Sequence, residues 1–267
     1  MSALITLTTD FGTRDAYVSE MKGVILDIAG RAGRAVQLVD VTHDVAPHDV
    51  TEGALALDAA APYFPPGSIH LAVVDPGVGT ERRGLVVQTD RELLVGPDNG
   101  LFTPFFERAA GWQAYELRAP EYRLAAVSRT FHGRDVFAPA AAYLAAGVPL
   151  ERLGPPVADP IRLPMPGSRL DAGTLVGEVL DVDRFGNLLT SIETARLKDL
   201  PGTGAVNVEV AGHRVGGLVE AYAEGPSDAG AAIAGSTGRI EVFVRDGSAA
   251  RRLGVGRGAP VRVRRDP

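Results

Sequence analysis

The sequence predicts an α/β fold whose N-terminal part is a mixed, mostly parallel sheet sandwiched by helices, followed by a smaller C-terminal β-barrel domain. Three observations carry that expectation. Over residues 1–150 short β-branched runs alternate with stretches of helical period, the order that builds a parallel sheet covered on both faces. Over 151–169 prolines and glycines crowd in, from Gly154-Pro155-Pro156 to Pro164, Pro166 and Gly167, which reads as an extended linker. Over 170–267 the signals are short strands divided by glycine turns, with no long helical period.

Taken in order, residues 4–8 form a β-branched run that stops at the turn Thr9-Asp10-Phe11-Gly12. Tyr17, Met21, Val24, Ile25 and Ile28 then recur at helical spacing, with Gly30 as a stop. Residues 35–41 read as a second strand and 50–61 as a second helix. Residues 68–74 are nearly all apolar, as a strand buried on both faces must be, and the run breaks at Asp75-Pro76-Gly77. Two strands follow at 84–89 and 93–96, close enough to pair, and the alanine-rich stretch 135–146 is the last clear helix. Beyond the linker, strands are expected at 174–182, 205–210, 240–244 and 260–263. In such a sheet the chemistry sits at the carboxyl ends of the strands. Asp10 and Asp75 both fall there.

The formal net charge of −6 argues against a nucleic-acid partner and gives no reason to expect an anionic membrane surface. No apolar run approaches the ~18 residues of a membrane span. There is no cysteine, which excludes disulfides, thiolate metal sites and cysteine nucleophiles and is compatible with the cytoplasm, the expected location. The N-terminus reads as a first core strand, not a signal peptide.

Four polar clusters border these elements. Asp10 reads either as the cap of the helix beginning near Ala16 or as a carboxylate accepting the hydroxyls of a ribose diol. Asp75 to Arg83 reads either as a glycine-rich hairpin with two solvated arginines or as a cleft carboxylate whose glycines admit a ligand close to the backbone. His132 is either a packed turn residue, with Asp135 opening the helix, or an imidazole kept neutral by the helix dipole and fit to act as a base. The loop Asp183-Arg184-Phe185-Gly186-Asn187 is either a hairpin turn with Phe185 in the core or an aromatic face beside an amide that suits a purine. Of the other histidines, His70 reads as a satisfied core residue and His213 as solvated. His43 and His48 flank Asp44 and Asp49 and, with Asp10, Asp75 and His132, could form a hydrolytic metal site. No ligand-pair spacing supports that idea, so neither metal nor cofactor is expected.

Together the clusters resemble the S-adenosylmethionine hydroxide adenosyltransferases, relatives of the enzymes that fluorinate and chlorinate the same substrate. The resemblance rests on Thr-Thr-Asp-Phe-Gly at 8–12, Val-Val-Asp-Pro-Gly-Val-Gly at 73–79, Gly-Pro-Asp-Asn-Gly-Leu at 96–101, Phe-His-Gly-Arg-Asp at 131–135, Asp-Arg-Phe-Gly-Asn at 183–187, and Gly235-Ser236, Gly238 and Ile240-Glu241. It implies a water-activating trio of Asp75, Arg82 and His132, a ribose carboxylate at Asp10, adenine contacts at Phe185 and Asn187, and methionine contacts at Asp183 and Ser236. His48 stands where halogenating relatives stack a tryptophan. Asp75 and Val78 stand where they have a tyrosine and a threonine near the halide, and Val244 completes the implied substrate contacts. Thr237 and Arg239 depart from the family pattern. A carboxylate at the attack position repels halide but hydrogen-bonds to water, which favours hydrolysis over halogenation.

The resemblance further implies a homotrimer with each active site between one subunit's N-terminal domain and its neighbour's C-terminal domain. The implied reaction is hydrolysis of S-adenosyl-L-methionine to adenosine and L-methionine by attack of water at ribose C5′. Because free water has a pKa of about 15.7, Asp75 and His132 are expected to orient it and take its proton, with His132 the better candidate for final acceptor and the division between the two left open. Arg82 is expected to stabilise hydroxide character. Two other readings compete: a metal-dependent phosphoesterase built on the Asp/His cluster, and a non-catalytic sensor of S-adenosylmethionine or a nucleoside.

Overall fold

The computed structural model describes residues 2–227 and 229–266, so Met1 and Pro267, the outer ends of the two expected domains, lie outside the described residues. The chain divides into two compact units, Met1–Met165 and Pro166–Pro267. No helix among the described residues is long and apolar enough to cross a membrane.

In the first unit the elements run β1 (Ala3–Thr9), α1 (Tyr17–Arg31), β2 (Val36–Thr42), α2 (Val50–Ala60), β3 (Ile69–Val73), β4 (Gly84–Thr89), β5 (Leu93–Pro97), α3 (Thr103–Arg108), β6 (Trp112–Glu116) and α4 (Ala138–Ala145). They form one sheet of order β2-β1-β3-β5-β4-β6, parallel from β2 through β5 and antiparallel where β4 pairs with β5 and β6. The sheet is therefore mixed, as expected. Alternation explains why β3 is buried throughout and, His70 apart, apolar. Ile69, Leu71 and Val73 join Met21 and Ile25 of α1 and Ala141 and Leu144 of α4. Ala72, and Val74 just beyond the strand, join Ala54 and Leu57 of α2 and Phe105 and Phe106 of α3. Each large side chain so buried stabilises the unit by about 1.5–3 kcal/mol. The register pairs Thr9 of β1 with Val73 of β3. Asp10 and Asp75 consequently leave the sheet at the same edge.

Two departures from the expected elements have local causes. The helix expected over 135–146 begins as a wide turn, Gly133–Phe137, in which Ala138 N–H donates to the carbonyl five residues back, and becomes α-helical only at Ala138. Pro139 has no N–H for the Asp135 carbonyl, which instead accepts Leu124 N–H at 2.9 Å. The proline-rich segment is extended but pinned to the first unit. Val157 N–H donates to Ala114 O, Ile161 N–H to Asp98 and Leu163 N–H to Thr103 Oγ1. Arg83, one of the two arginines read as solvated, bridges Asp98 and Asp159 and so holds the segment in place. His70 is buried but only half satisfied: Nδ1 meets Thr6 Oγ1 at 2.7 Å, while Nε2 has no partner among the described residues. Burial, with the charges of Arg108 and Arg91, pushes its pKa from 6.5 down to about 4.

The second unit comprises β7 (Arg169–Asp171), β8 (Thr174–Val182), β9 (Leu188–Glu193), β10 (Val206–Val210), β11 (His213–Val215), β12 (Leu218–Val219), β13 (Gly230–Ala234), β14 (Arg239–Val244), the short α5 (Ala249–Leu253) and β15 (Pro260–Arg265). Among the described residues its nine strands form a curled sheet of order β11-β10-β15-β8-β9-β14-β13-β12, with β7 on β8. Inward residues such as Leu175, Val179, Leu188, Val208, Ile240, Val242, Val261 and Val263 make one core. His213 is exposed.

Candidate active site

Asp75, Arg82 and His132, expected to act together, meet in the first unit. Asp75 leaves β3 in a tight turn in which Val78 N–H returns to Asp75 O and Thr80 N–H to Gly77 O. The turn carries Arg82 back over Asp75. Arg82 Nε donates to Asp75 Oδ1 at 2.8 Å, and Nη2 donates both to Asp75 Oδ2 and to His132 Nδ1, the latter at 2.8 Å. The guanidinium lies over the Phe137 ring at 5.1 Å and is nearly buried with its carboxylate. Arg82 is thus not solvated. Gly79, at φ 77°, makes the convergence sterically feasible: a Cβ there would collide with the carbonyl oxygen of Arg129, three residues before His132.

Donor chemistry then fixes the state of the imidazole. A guanidinium only donates, so His132 Nδ1 accepts and the ring is neutral with its proton on Nε2. Burial and the charge of Arg82 hold the imidazole below its ordinary pKa, against the opposing influence of Asp75. The ring nitrogen able to take a proton is the one already occupied by Arg82. Asp75 accepts one bond on each oxygen from Arg82 and keeps a lone pair on each.

Asp75 and His132 open into a cleft of about 430 Å³, lined also by Val73, Val78, Phe11, Tyr17, Phe131 and Arg134. Arg82 is not among the lining residues described and stands behind the other two. Three rings interlock along one wall, Phe11, Tyr17 and Phe131, all edge to face with centroids 5.2–5.9 Å apart. Arg134 covers Phe131 and links Glu20 to the buried Asp135, which also accepts Ser128 N–H. Asp135 thus lies in the wide turn that opens the helix and also anchors the loop before it. Tyr17 and Glu20 were not foreseen as lining residues. Their three-residue spacing on one face of α1 was the available signal.

Asp10 does not cap α1, whose N-terminal residue Ala16 has no side-chain partner. Its Oδ2 instead accepts His48 N–H at 2.9 Å, and Oδ1 has no partner among the described residues. His48 has φ 68°, a left-handed conformation that costs a non-glycine residue roughly 1–2 kcal/mol. Asp49 next to it caps α2 through Glu52 N–H. Neither Asp10 nor His48 lines the cleft itself, although Asp10 adjoins the lining residue Phe11. No group of three or more His, Asp or Glu side chains among the described residues is arranged to hold a metal ion.

The second unit has its own cleft, of about 790 Å³, which gathers Asp183, Phe185, Asn187 and Val244 together with Tyr222, Phe243 and Arg245. Phe185 is 76% exposed, so it is not a core residue. Asp183 shapes the loop that presents it: Oδ1 accepts Phe185 N–H and Asn187 N–H, and Oδ2 accepts the Asn187 amide at 2.9 Å. Tyr222, also unforeseen, donates its hydroxyl to Glu241 and packs edge-on against Phe243. Burial and then Glu241 push its phenol up to about 12. Ser236 is not in this group. It sits in the exposed turn between β13 and β14, at the opposite end of β14 from Val244.

Residues 5–154 match the N-terminal domain of the SAM hydroxide adenosyltransferases and residues 177–262 match their C-terminal domain. A protein of Thermus thermophilus named (R)-S-adenosyl-L-methionine hydrolase is 44% identical over 96% of this chain and 97% of its own. One of the same name from Salinispora tropica is 41% identical over 97% of each. A fluorinase from Actinoplanes sp. is more distant, 29% identical over 73% of each chain. Among solved structures, an uncharacterised conserved protein of Thermotoga maritima superposes with a TM-score of 0.90 at 32% identity, over 98% of this chain and 100% of that one.

Proposed function

The chain belongs to the SAM hydroxide adenosyltransferase family, and from that premise we propose that it hydrolyses S-adenosyl-L-methionine to adenosine and L-methionine. The name shared by its relatives specifies the (R) configuration, and we take that form as the substrate. The observation that carries the reading is the single guanidinium of Arg82 joined to both Asp75 and His132 at the cleft of the first unit.

The proton logic assigns the roles. His132 Nε2–H donates to the oxygen of a water molecule, and the Asp75 carboxylate takes that water's proton. The water oxygen bonds to ribose C5′ as the C5′–S bond breaks. Sulfur keeps the bonding pair, and the sulfonium leaves as the neutral thioether of methionine. The proton on Asp75 passes to solvent when the products leave. This reverses the order favoured from sequence, in which His132 was the better candidate for final acceptor, because Arg82 occupies Nδ1. Arg82 never meets the water in this scheme; it holds the other two in register and supplies positive charge behind the developing hydroxide. Holding water, C5′ and sulfur in line recovers association entropy worth up to about 7–11 kcal/mol.

We assign Asp10 to the ribose hydroxyls through Oδ1, with His48 and Val78 at its margin. Phe185, Asn187 and Val244 are assigned to adenine, and Asp183 shapes their loop. The homotrimer implied by the family likeness, with sites completed by a neighbouring copy, is part of the same reading. So is a closed β-barrel in the second unit, supported by the bond from Gly216 N–H to Gly230 O, which ties the end of β11 to β13. A chain without cysteine suits the cytoplasm, where disulfides are rare, and we place it there. The test is incubation with S-adenosyl-L-methionine in heavy-oxygen water, followed by mass spectrometry of the nucleoside. The label belongs on the 5′-hydroxyl of adenosine. Unlabelled adenosine, or a methylthio nucleoside in its place, would overturn the reaction.

A further inference from the structure

Behind the Asp10 turn lies a histidine for which the hydrolytic scheme has no task. His43 follows β2 and is only 5% exposed. Its Nδ1 is 2.9 Å from Thr9 Oγ1, and its Nε2 comes within 3.0 Å of Asp40 Oδ1, a charge contact outside hydrogen-bond geometry. Asp40 is held in turn by Lys22 of α1, Nζ to Oδ2 at 2.7 Å. Burial works to raise the Asp40 carboxyl, but Lys22 and His43 outweigh it and hold the group below its ordinary range. On the other side, Thr9 Oγ1 accepts Phe11 N–H at 3.3 Å, and the backbone carbonyl of His43 accepts Gly12 N–H at 2.7 Å. His43 thereby grips both ends of the turn that carries Asp10, one through its ring and one through its backbone.

The Asp40 carboxylate selects between the two neutral tautomers. With its proton on Nδ1 the ring would turn an Nε2 lone pair towards the carboxylate, so the proton sits on Nε2, and Thr9 Oγ1, which accepts from Phe11, gives its own hydrogen to Nδ1. An apolar side chain of the same size would fill the space but would accept nothing from Thr9, and the turn would lose its orientation. Asp10 needs that orientation, since Oδ2 is committed to His48 N–H and only Oδ1 is left to accept from a ligand.

We propose that His43 is a positioning residue for the substrate's ribose, acting through Thr9 to aim the Asp10 carboxylate. The inference rests on the reading of Asp10 as the ribose carboxylate, and the experiment separates the two. Hydrolysis of S-adenosyl-L-methionine is measured for Asp10→Ala, His43→Ala, His43→Asn and the double variant Asp10→Ala/His43→Ala, with melting temperatures alongside. Asparagine places an amide oxygen near the position of Nδ1, so it keeps the acceptor for Thr9 and drops the Asp40 contact. His43→Ala should raise KM about tenfold with kcat within about threefold of wild type, the signature of lost ground-state placement. His43→Asn should restore KM to within about threefold even though it melts as low as the alanine variant. In the Asp10→Ala background the histidine substitution should change KM no further.

A wild-type KM for Asp10→Ala would remove the ribose assignment and the inference with it. A raised KM for Asp10→Ala beside an unchanged one for His43→Ala, or multiplying effects in the double variant, would overturn the inference alone. Failure of asparagine to restore KM would reduce His43 to a packing residue. Should His43→Ala not fold, Thr9→Val removes the same hydroxyl at constant volume and must raise KM equally, an unchanged value counting against the proposal.

Discussion

Replacing Arg82 by lysine keeps the positive charge and removes the geometry, which makes it the sharpest probe of the trio. The guanidinium donates from Nε to one oxygen of Asp75, and from Nη2 to the other oxygen and to His132 Nδ1. An ammonium is a point donor on a flexible stem, with no planar fork to span carboxylate and imidazole together. We expect it to keep one of these three bonds and lose two. Hydrogen bonds to charged groups are worth about 1.5–3 kcal/mol each, so the lower bound of the loss is about 3 kcal/mol. If that loss falls on the transition state, at 1.36 kcal/mol per decade it lowers kcat by about 100-fold. KM should stay within about threefold, because Arg82 stands behind the cleft and does not line it. Release of adenosine at saturating substrate, followed by chromatography, measures kcat, and a melting curve taken in parallel separates misfolding from lost catalysis. A well-folded Arg82→Lys protein with kcat within about threefold of wild type would refute the view that the planar fork organises the site.

The roles given to the other members lead to further expectations. His132→Gln retains an N–H near the position of Nε2, so it should turn over about tenfold faster than His132→Ala, itself reduced by about 10²–10³; equal rates in the two would contradict the donor role. Because His132 works neutral and its pKa is depressed, kcat should stay flat as the pH falls through the range where an ordinary histidine titrates and decline only below it. A midpoint at or above 6.5 would count against the assigned tautomer. His70, neutral when folded with a pKa of about 4, takes up its proton on unfolding below 6.5. Stability is therefore complete above 6.5 and falls as the pH drops towards 4, by about 3 kcal/mol in all. Urea denaturation at a series of pH values measures this, and a His70→Gln protein showing the same fall would exonerate the histidine.

Much of the first unit was legible in the sequence because its signals are local. The nearly all-apolar run at 68–74 announced a strand covered on both faces, and its abrupt end at Asp75 announced the edge where chemistry gathers. The wide turn at Gly133 was not visible, since it depends on where the Asp135 carbonyl finds a partner once Pro139 withdraws its N–H. α3 and β6 escaped notice although Pro104, in the first turn of α3, was a usable sign. For the site, chain order showed which residue types were present but not their state. From its local sequence Arg82 read as a solvated hairpin arginine as readily as a cleft residue, and only the family resemblance joined it to His132, fifty residues on, because nothing near it in the chain shows that the two meet. Whether Phe185 is buried or exposed was equally undecidable, since its side chain is directed by Asp183 bonding within its own turn.

The close contact at Gly79 limits what the cleft can become. The Asp75 turn and the loop before His132 come so close there that the seam between them has no room for even one Cβ. Side-chain exchange elsewhere cannot widen it. Variants sought for bulkier nucleophiles would gain room by trimming Val78 or Phe131, and selections that randomise residue 79 should return glycine almost without exception.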